Sequence, residues 1–224
     1  MLQPTTPVVR NLLILNVLFF LATSAAGSMF EVHLSYLLGG FYPASDWFRP
    51  WQIVTHMFMH GGIAHIFFNM FALYMFGTAL ERVWGSKRFL IYYMICGLGA
   101  FFLHEAVNAY QVFQATGELM PVMTNSNAGD LAMIYNVPVV GASGAVYGLL
   151  MAFGVLFPNT RLMLLFPPIP IKAKWLVIGL GIMEIYLVYR GSSSDNIAHF
   201  AHLGGMLFGY LLLKKWQRDT TTFY

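Results

Sequence analysis

In the stretch VVGASGAVYG, Val139 to Gly148, a lone serine stands between glycines inside an apolar run. A serine hydroxyl becomes a nucleophile when a neighbouring base takes its proton. The candidate partners are His202, in AHLGGMLFG, and His65 and Asn69, in HGGIAHIFFN. His65 and Asn69 are spaced i, i+4, so on a helix both point at one place, and Ser143 and Tyr147 share that relation. Each residue also has a plain reading. GASG is a small-residue packing surface, His65 and Asn69 are a polar pair between helices, and His202 is a buried imidazole satisfied by a carbonyl. What separates the two sets of readings is whether the elements that carry these residues bring them together.

Those elements are membrane helices. Of the 224 residues 58% are hydrophobic and 9% charged, far from the roughly 25% charge of a soluble domain. Six apolar stretches read as spanning helices, at about 20 residues per crossing: Asn11–Phe30, Gly62–Leu80, Phe89–Val107, Val139–Phe157, Trp175–Tyr189 and Ile197–Leu213. The expected fold is all-α, one transmembrane domain over residues 1–224, with no soluble domain, repeat or low-complexity tail. Between the stretches lie turn and charge signals such as YPASDWFRP, ERVWGSKR and RGSSSD.

The basic residues give orientation. With a cytoplasmic N-terminus, ten of the twelve Lys and Arg fall inside: Arg10, Arg82, Lys87, Arg88, Arg161, Lys172, Lys174, Lys214, Lys215 and Arg218. Arg49 and Arg190 fall outside, as the positive-inside rule expects. Both termini are then cytoplasmic, and the pI near 9.0 reports topology rather than a nucleic-acid surface. The other reading of Arg10, the apolar Asn11–Ala22 and TSAAGS is a cleavable leader, which would leave five helices. The single cysteine, Cys96, allows no internal disulfide.

With this topology the second, fourth and sixth helices run inward from the outer face. His65, Ser143 and His202 then lie three, four and five residues past their helix starts, at depths of roughly 4.5, 6 and 7.5 Å. Polar groups in hydrocarbon face the bundle interior or a water-filled cavity, so one shared cavity is the economical expectation. Gly141, Gly144 and Gly148 on the fourth helix, and Gly205 and Gly209 on the sixth, allow the close approach that a short serine side chain needs to reach an imidazole.

Two other chemistries compete. His56 and His60 are spaced i, i+4, but H-x-x-x-H lacks the glutamate of H-E-x-x-H, and seven histidines in all are too few for a membrane di-iron site. Glu105 and Glu184 are intramembrane acids of the kind that mark ion paths, yet no inverted repeat or broken-helix pair accompanies them. Glu184 reads as a local interhelical hydrogen bond rather than a proton relay.

Four separated stretches, HGGIAHIFFN, Leu80–Glu81–Arg82, GASGAVYG and AHLGGMLFG, in this order resemble the rhomboid family of intramembrane serine proteases, from about Trp51 to Leu213. The resemblance implies Ser143 as nucleophile in G-x-S-G (Gly141, Ala142, Ser143, Gly144) and His202 as base in A-H-x-x-G (Ala201 to Gly205). It also implies His65 and Asn69 as oxyanion donors beside the Ser143 backbone N–H, and Tyr147 packed on the catalytic imidazole. His199 does not match that pattern. It further implies a membrane-embedded first loop, no cofactor or metal, lateral access near the fifth helix, and substrates that are transmembrane segments of other membrane proteins in the lipid bilayer. Many members carry Trp-Arg where this chain has Trp51–Gln52, which puts the anchoring of the first loop in question.

Such roles agree with the chemistry. One preorganised donor to a developing oxyanion contributes roughly 2.7–4 kcal/mol. No carboxylate stands in an obvious third position, since Asp195 lies seven residues before His202 in a loop. The expected arrangement is therefore a Ser–His dyad in the minimal six-helix form, oriented by helix packing and Tyr147. A bacterial plasma membrane is the expected location, because no organelle-targeting extension is evident. The rivals are a catalytically silent binder of transmembrane helices, which should lack Ser143 or His202, and a small transporter.

Overall fold

The computed structural model describes residues 4–124, 127–164, 167–191 and 196–219. Nine α-helices among the described residues account for most of the chain: α1 Pro7–Phe30, α2 Leu34–Leu38, α3 Gln52–Thr55, α4 Ile63–Ala72, α5 Thr78–Thr116, α6 Ala128–Asn136, α7 Ser143–Leu156, α8 Ala173–Arg190 and α9 Asn196–Asp219. A 3-10 turn, His56–Phe58, precedes α4, and one π-helical turn, Leu73–Gly77, joins α4 to α5.

Each of the six apolar stretches contains a helix, with two departures from expectation. The second and third form one helical path, Ile63–Thr116, which leaves helical geometry at Gly85 (φ 75°, ψ 162°) within the charged ERVWGSKR segment. The fourth begins at Ser143 rather than Val139, because Val139 is paired elsewhere. Its N–H and C=O bond Gly40 at 2.7 and 2.8 Å, and Gly141 N–H donates to the His56 carbonyl at 2.9 Å. The depth of Ser143 inferred by counting from Val139 is therefore replaced by its position at the first residue of α7. Among the described residues two helices, Pro7–Phe30 and Ile63–Thr116, are long and apolar enough to cross a membrane by length and composition, and Ser143–Leu156 is a shorter apolar helix.

The all-α expectation also yields at one place. Between α7 and α8, β1 (Arg161–Met163) pairs antiparallel with β2 (Pro170–Lys172), with Leu162 opposite Ile171. A stretch with prolines at 167, 168 and 170 cannot continue as helix, and its backbone groups find partners across a hairpin instead.

α5, α7 and α9 pack against one another, and α8 lies on α7 and α9. Tyr92, Cys96, Ala145, Leu149, Met206 and Leu213 form the middle of one buried cluster, while long apolar side chains on α1 and α8 such as Leu18, Leu21, Ile182 and Ile185 face outward. That inside-out exposure suits a hydrocarbon surround, where side chains gain nothing by turning away from their solvent. The α7–α9 crossing is unusually close. A Cβ on Gly205 would lie 1.8 Å from the Gly144 carbonyl oxygen, and one on Gly209 would lie 3.2 Å from Gly148 Cα.

Buried polar side chains fix the segments around this core. Gln52 is 0% exposed. Its Nε2 reaches the carbonyls of Tyr36, Leu37 and Trp47 at 3.2, 3.3 and 3.0 Å, and its Oε1 accepts from Arg49 N–H at 3.0 Å. Glutamine after Trp51 thus ties the first loop together. Glu81 accepts from the Val8 and Val9 N–H groups at 3.0 and 2.9 Å, from Ser86 Oγ at 2.6 Å and from the Thr6 hydroxyl. It caps α1 in place of Thr6, whose side chain makes no cap bond. Arg82 donates to the Pro4 carbonyl at 2.6 Å, so these neighbours both grip the N-terminal segment rather than each other.

Two stability predictions follow from these contacts. Gly205→Ala must push a backbone carbonyl aside and should cost about 3 kcal/mol, whereas Gly179→Ala, on the open face of α8 with nothing near its Cβ position, should be neutral or slightly stabilising. Glu81→Gln should cost about 2 kcal/mol through weakened charge-assisted bonds. Thermal unfolding in detergent followed by circular dichroism compares all three.

Candidate active site

A cavity of about 1040 Å³ opens between α4, α5, α7, α8 and α9. His65, Asn69, Ser143, Tyr147 and His202 all line it, with Gly141 and Gly144 in its wall. Residues singled out from three separate stretches of sequence therefore meet in one space. Among the described residues every other lining side chain except His56 is apolar or absent, and His56 is tied to Gly141 through its carbonyl.

Ser143 is half-buried at the first helical position of α7. The opening N–H groups of a helix have no partner within it, so the Ser143 N–H is placed as a donor at the positive end of the helix dipole. Gly141 turns the chain into this position with φ 131°, in the range that disfavours a side chain, and a Cβ there would lie 2.9 Å from His65 Nε2. Gly144 lets α9 approach.

His65 accepts the Gly61 N–H at Nδ1, 3.3 Å away. That bond assigns the ring proton to Nε2, the nitrogen beside Gly141. Asn69 is buried. One N–H of its amide returns to the His65 carbonyl at 2.9 Å, which leaves the other as its donor into the cavity.

His202 lies parallel to the Tyr147 ring, with centroids 4.1 Å apart and 5° between planes. Its Nδ1 donates to Glu184 Oε1 at 3.0 Å, leaving Nε2 as the nitrogen available to Ser143. The same Oε1 accepts the Tyr147 hydroxyl, and Oε2 accepts His199 Nδ1 at 2.5 Å. A carboxylate therefore does stand behind His202. It comes from α8, eighteen residues earlier in the chain, and not from Asp195, which lies outside the described residues. The sequence marks Glu184 as an intramembrane acid in a local interhelical hydrogen bond, which these contacts bear out, without naming its partners.

Glu184, His199 and His202 offer ligand atoms within 4.8 Å of one another, a spacing also open to a divalent cation. The hydrogen bonds among them already satisfy those atoms. Glu105 lies elsewhere, 3.7 Å from His104 Nε2 on α5, and does not line the cavity.

Comparison with known proteins places the chain in a family. The Rhomboid domain profile matches residues 48–216. The chain is 31% identical over 162 residues to the rhomboid protease GluP of Bacillus subtilis, covering 71% of this chain and 25% of that protein. It is 27% identical over 174 residues to the rhomboid protease AarA of Providencia stuartii, covering 75% and 55%. With the mitochondrial RHOMBOID-like protein 12 of Arabidopsis thaliana it shares 31% over 176 residues, covering 76% and 48%. The chain thus spans between a quarter and about half the length of these relatives. With a profile match that runs from the first loop through α9, the chain belongs to the rhomboid family.

Proposed function

We propose that this chain is an intramembrane serine endopeptidase that cuts transmembrane segments of other membrane proteins, with Ser143 as nucleophile and His202 as base. The observation that carries the reading is the distribution of polarity in the cavity. Among the described residues its hydrogen-bonding side chains, His56, His65, Asn69, Ser143, Tyr147 and His202, gather at the Ser143 end of α7, and the remainder, out to Leu162 and Leu164 of the hairpin, is apolar. A slot of this kind accepts an apolar helix along most of its length and offers peptide chemistry only at one end. The relatives named as proteases support the same reading.

In this mechanism the Ser143 hydroxyl gives its proton to His202 Nε2 as Oγ bonds the scissile carbonyl carbon. The carbonyl electron pair moves to oxygen, where the Ser143 N–H, His65 Nε2–H and the second Asn69 N–H receive it. The imidazolium returns its proton to the amine as the C–N bond breaks, and water releases the acyl group by the same steps. No cofactor takes part.

The six apolar helices cross the bilayer with both termini cytoplasmic, in a bacterial plasma membrane. The charge distribution supports this orientation, and the outward-facing apolar side chains of α1 and α8 support the lipid contact. It puts Ser143 near the outer face, with the first loop, stitched by Gln52, lying in the interface. Substrate reaches the slot past α8, whose Leu176 and Leu180 form part of its wall.

Cleavage of a reporter transmembrane substrate in liposomes, with labelling by a serine-reactive phosphonate, tests the proposal. Wild type should cut and label; Ser143→Ala and His202→Ala should do neither, and chelators should change nothing. Equal cutting by folded Ser143→Ala removes the serine from the chemistry. His65→Ala or Asn69→Ala should lower kcat by roughly 10²-fold with a much smaller change in KM. Unchanged kcat in the folded double variant removes both from the oxyanion assignment.

A further inference from the structure

Resting on the Ser143–His202 reading above, we infer that Glu184 is a positioning residue for the base, extending the expected dyad to a hydrogen-bonded triad of Ser143, His202 and Glu184 drawn from α7, α9 and α8. A carboxylate only accepts hydrogen bonds. Its contact with His202 therefore holds the ring proton on Nδ1 and keeps Nε2 bare toward the serine.

The plain alternative is that Glu184 is a clamp between helices. It is 2% exposed, and a buried carboxylate needs donors whatever its role. A clamp, however, is already complete without His202. The Tyr147 hydroxyl ties Glu184 to α7, and His199 ties it to α9. The third bond goes to His202, which lines the cavity together with Ser143, as His199 does not. That imidazole is also fixed in its plane by the parallel Tyr147 ring, so stacking sets its tilt and Glu184 sets its rotation within the plane. Tyr147 serves both constraints through different atoms, ring against His202 and hydroxyl on Oε1.

The proton balance is simple. When Ser143 attacks, its proton moves to Nε2 and His202 carries both ring protons; Glu184 stays ionised and faces the resulting cation. When the amine leaves, the Nε2 proton goes with it and the original tautomer returns. Glu184 gains and loses nothing, so its effect falls on the steps in which His202 is charged and not on substrate binding.

Glu184→Gln keeps the shape while removing the charge, and should lower kcat by roughly 100-fold with KM within about twofold of wild type. Phosphonate labelling should slow in parallel. Glu184→Asp, which keeps the charge, should recover at least a tenth of wild-type kcat. Ser143→Ala is measured alongside. If it is inactive while Glu184→Gln cuts at the wild-type rate, the inference about Glu184 fails and the nucleophile stands; if Ser143→Ala cuts like wild type, the reading of the whole site fails. A loss of fold in the Glu184 variants is met by a measurement on the wild-type chain. Its histidine 15N spectrum in detergent at pH 8, assigned by difference against His202→Gln, should show His202 protonated at Nδ1 and bare at Nε2. The opposite tautomer overturns the inference.

Discussion

The approach of α7 to α9 at Gly144 and Gly205 is the constraint on which the site depends. Backbone meets backbone there, with no room for a single carbon between the Gly144 carbonyl and Gly205. Ser143 precedes one of these glycines and His202 lies three residues before the other, so the proposed nucleophile and base are set by main-chain contact rather than by long side chains. In a bilayer, where helices gain little by hiding apolar surface, such close packing is a principal source of association. The same feature that holds the bundle together therefore sets the geometry of the chemistry.

Around that crossing, single buried polar residues organise distant segments. Gln52 gathers carbonyls from three places in the first loop, Glu81 completes the first turn of α1, and Glu184 joins α8 to α7 and α9. Each is buried, where unpaired hydrogen-bonding groups are expensive, and each is satisfied by several partners at once. An amide or carboxylate is well suited to this because it presents two polar atoms on a flat, compact group.

Much of this was legible in the sequence and some was not, for identifiable reasons. The apolar stretches and the residues that line the cavity could be read from hydropathy, i, i+4 spacing and motif order, because those signals are local. The start of α7 could not: Val139 is as apolar as the helix it precedes, and only its pairing with Gly40, about a hundred residues away, holds it extended. The hairpin between α7 and α8 was hidden for a similar reason, its prolines marking a loop but not a strand register. Glu184 was visible as an acid in the wrong solvent, yet its partner depended on the rotation of α8 about its axis, which an almost uniformly apolar helix does not reveal. Gln52, read as a missing arginine, proved to satisfy the loop by neutral hydrogen bonds.

The cap on α1 has a consequence in time. The first turn of that helix is completed by Glu81, which lies 72 to 75 residues further along the chain and is itself held by Ser86. A chain made from its N-terminus produces α1 long before it produces these partners. That helix is thus finished late, once the chain has crossed the bundle, returned past the π-helical turn and brought Glu81 beside Thr6. Until then its leading N–H groups must be satisfied by water, so the start of α1 keeps to an aqueous boundary while the rest of the bundle is being assembled.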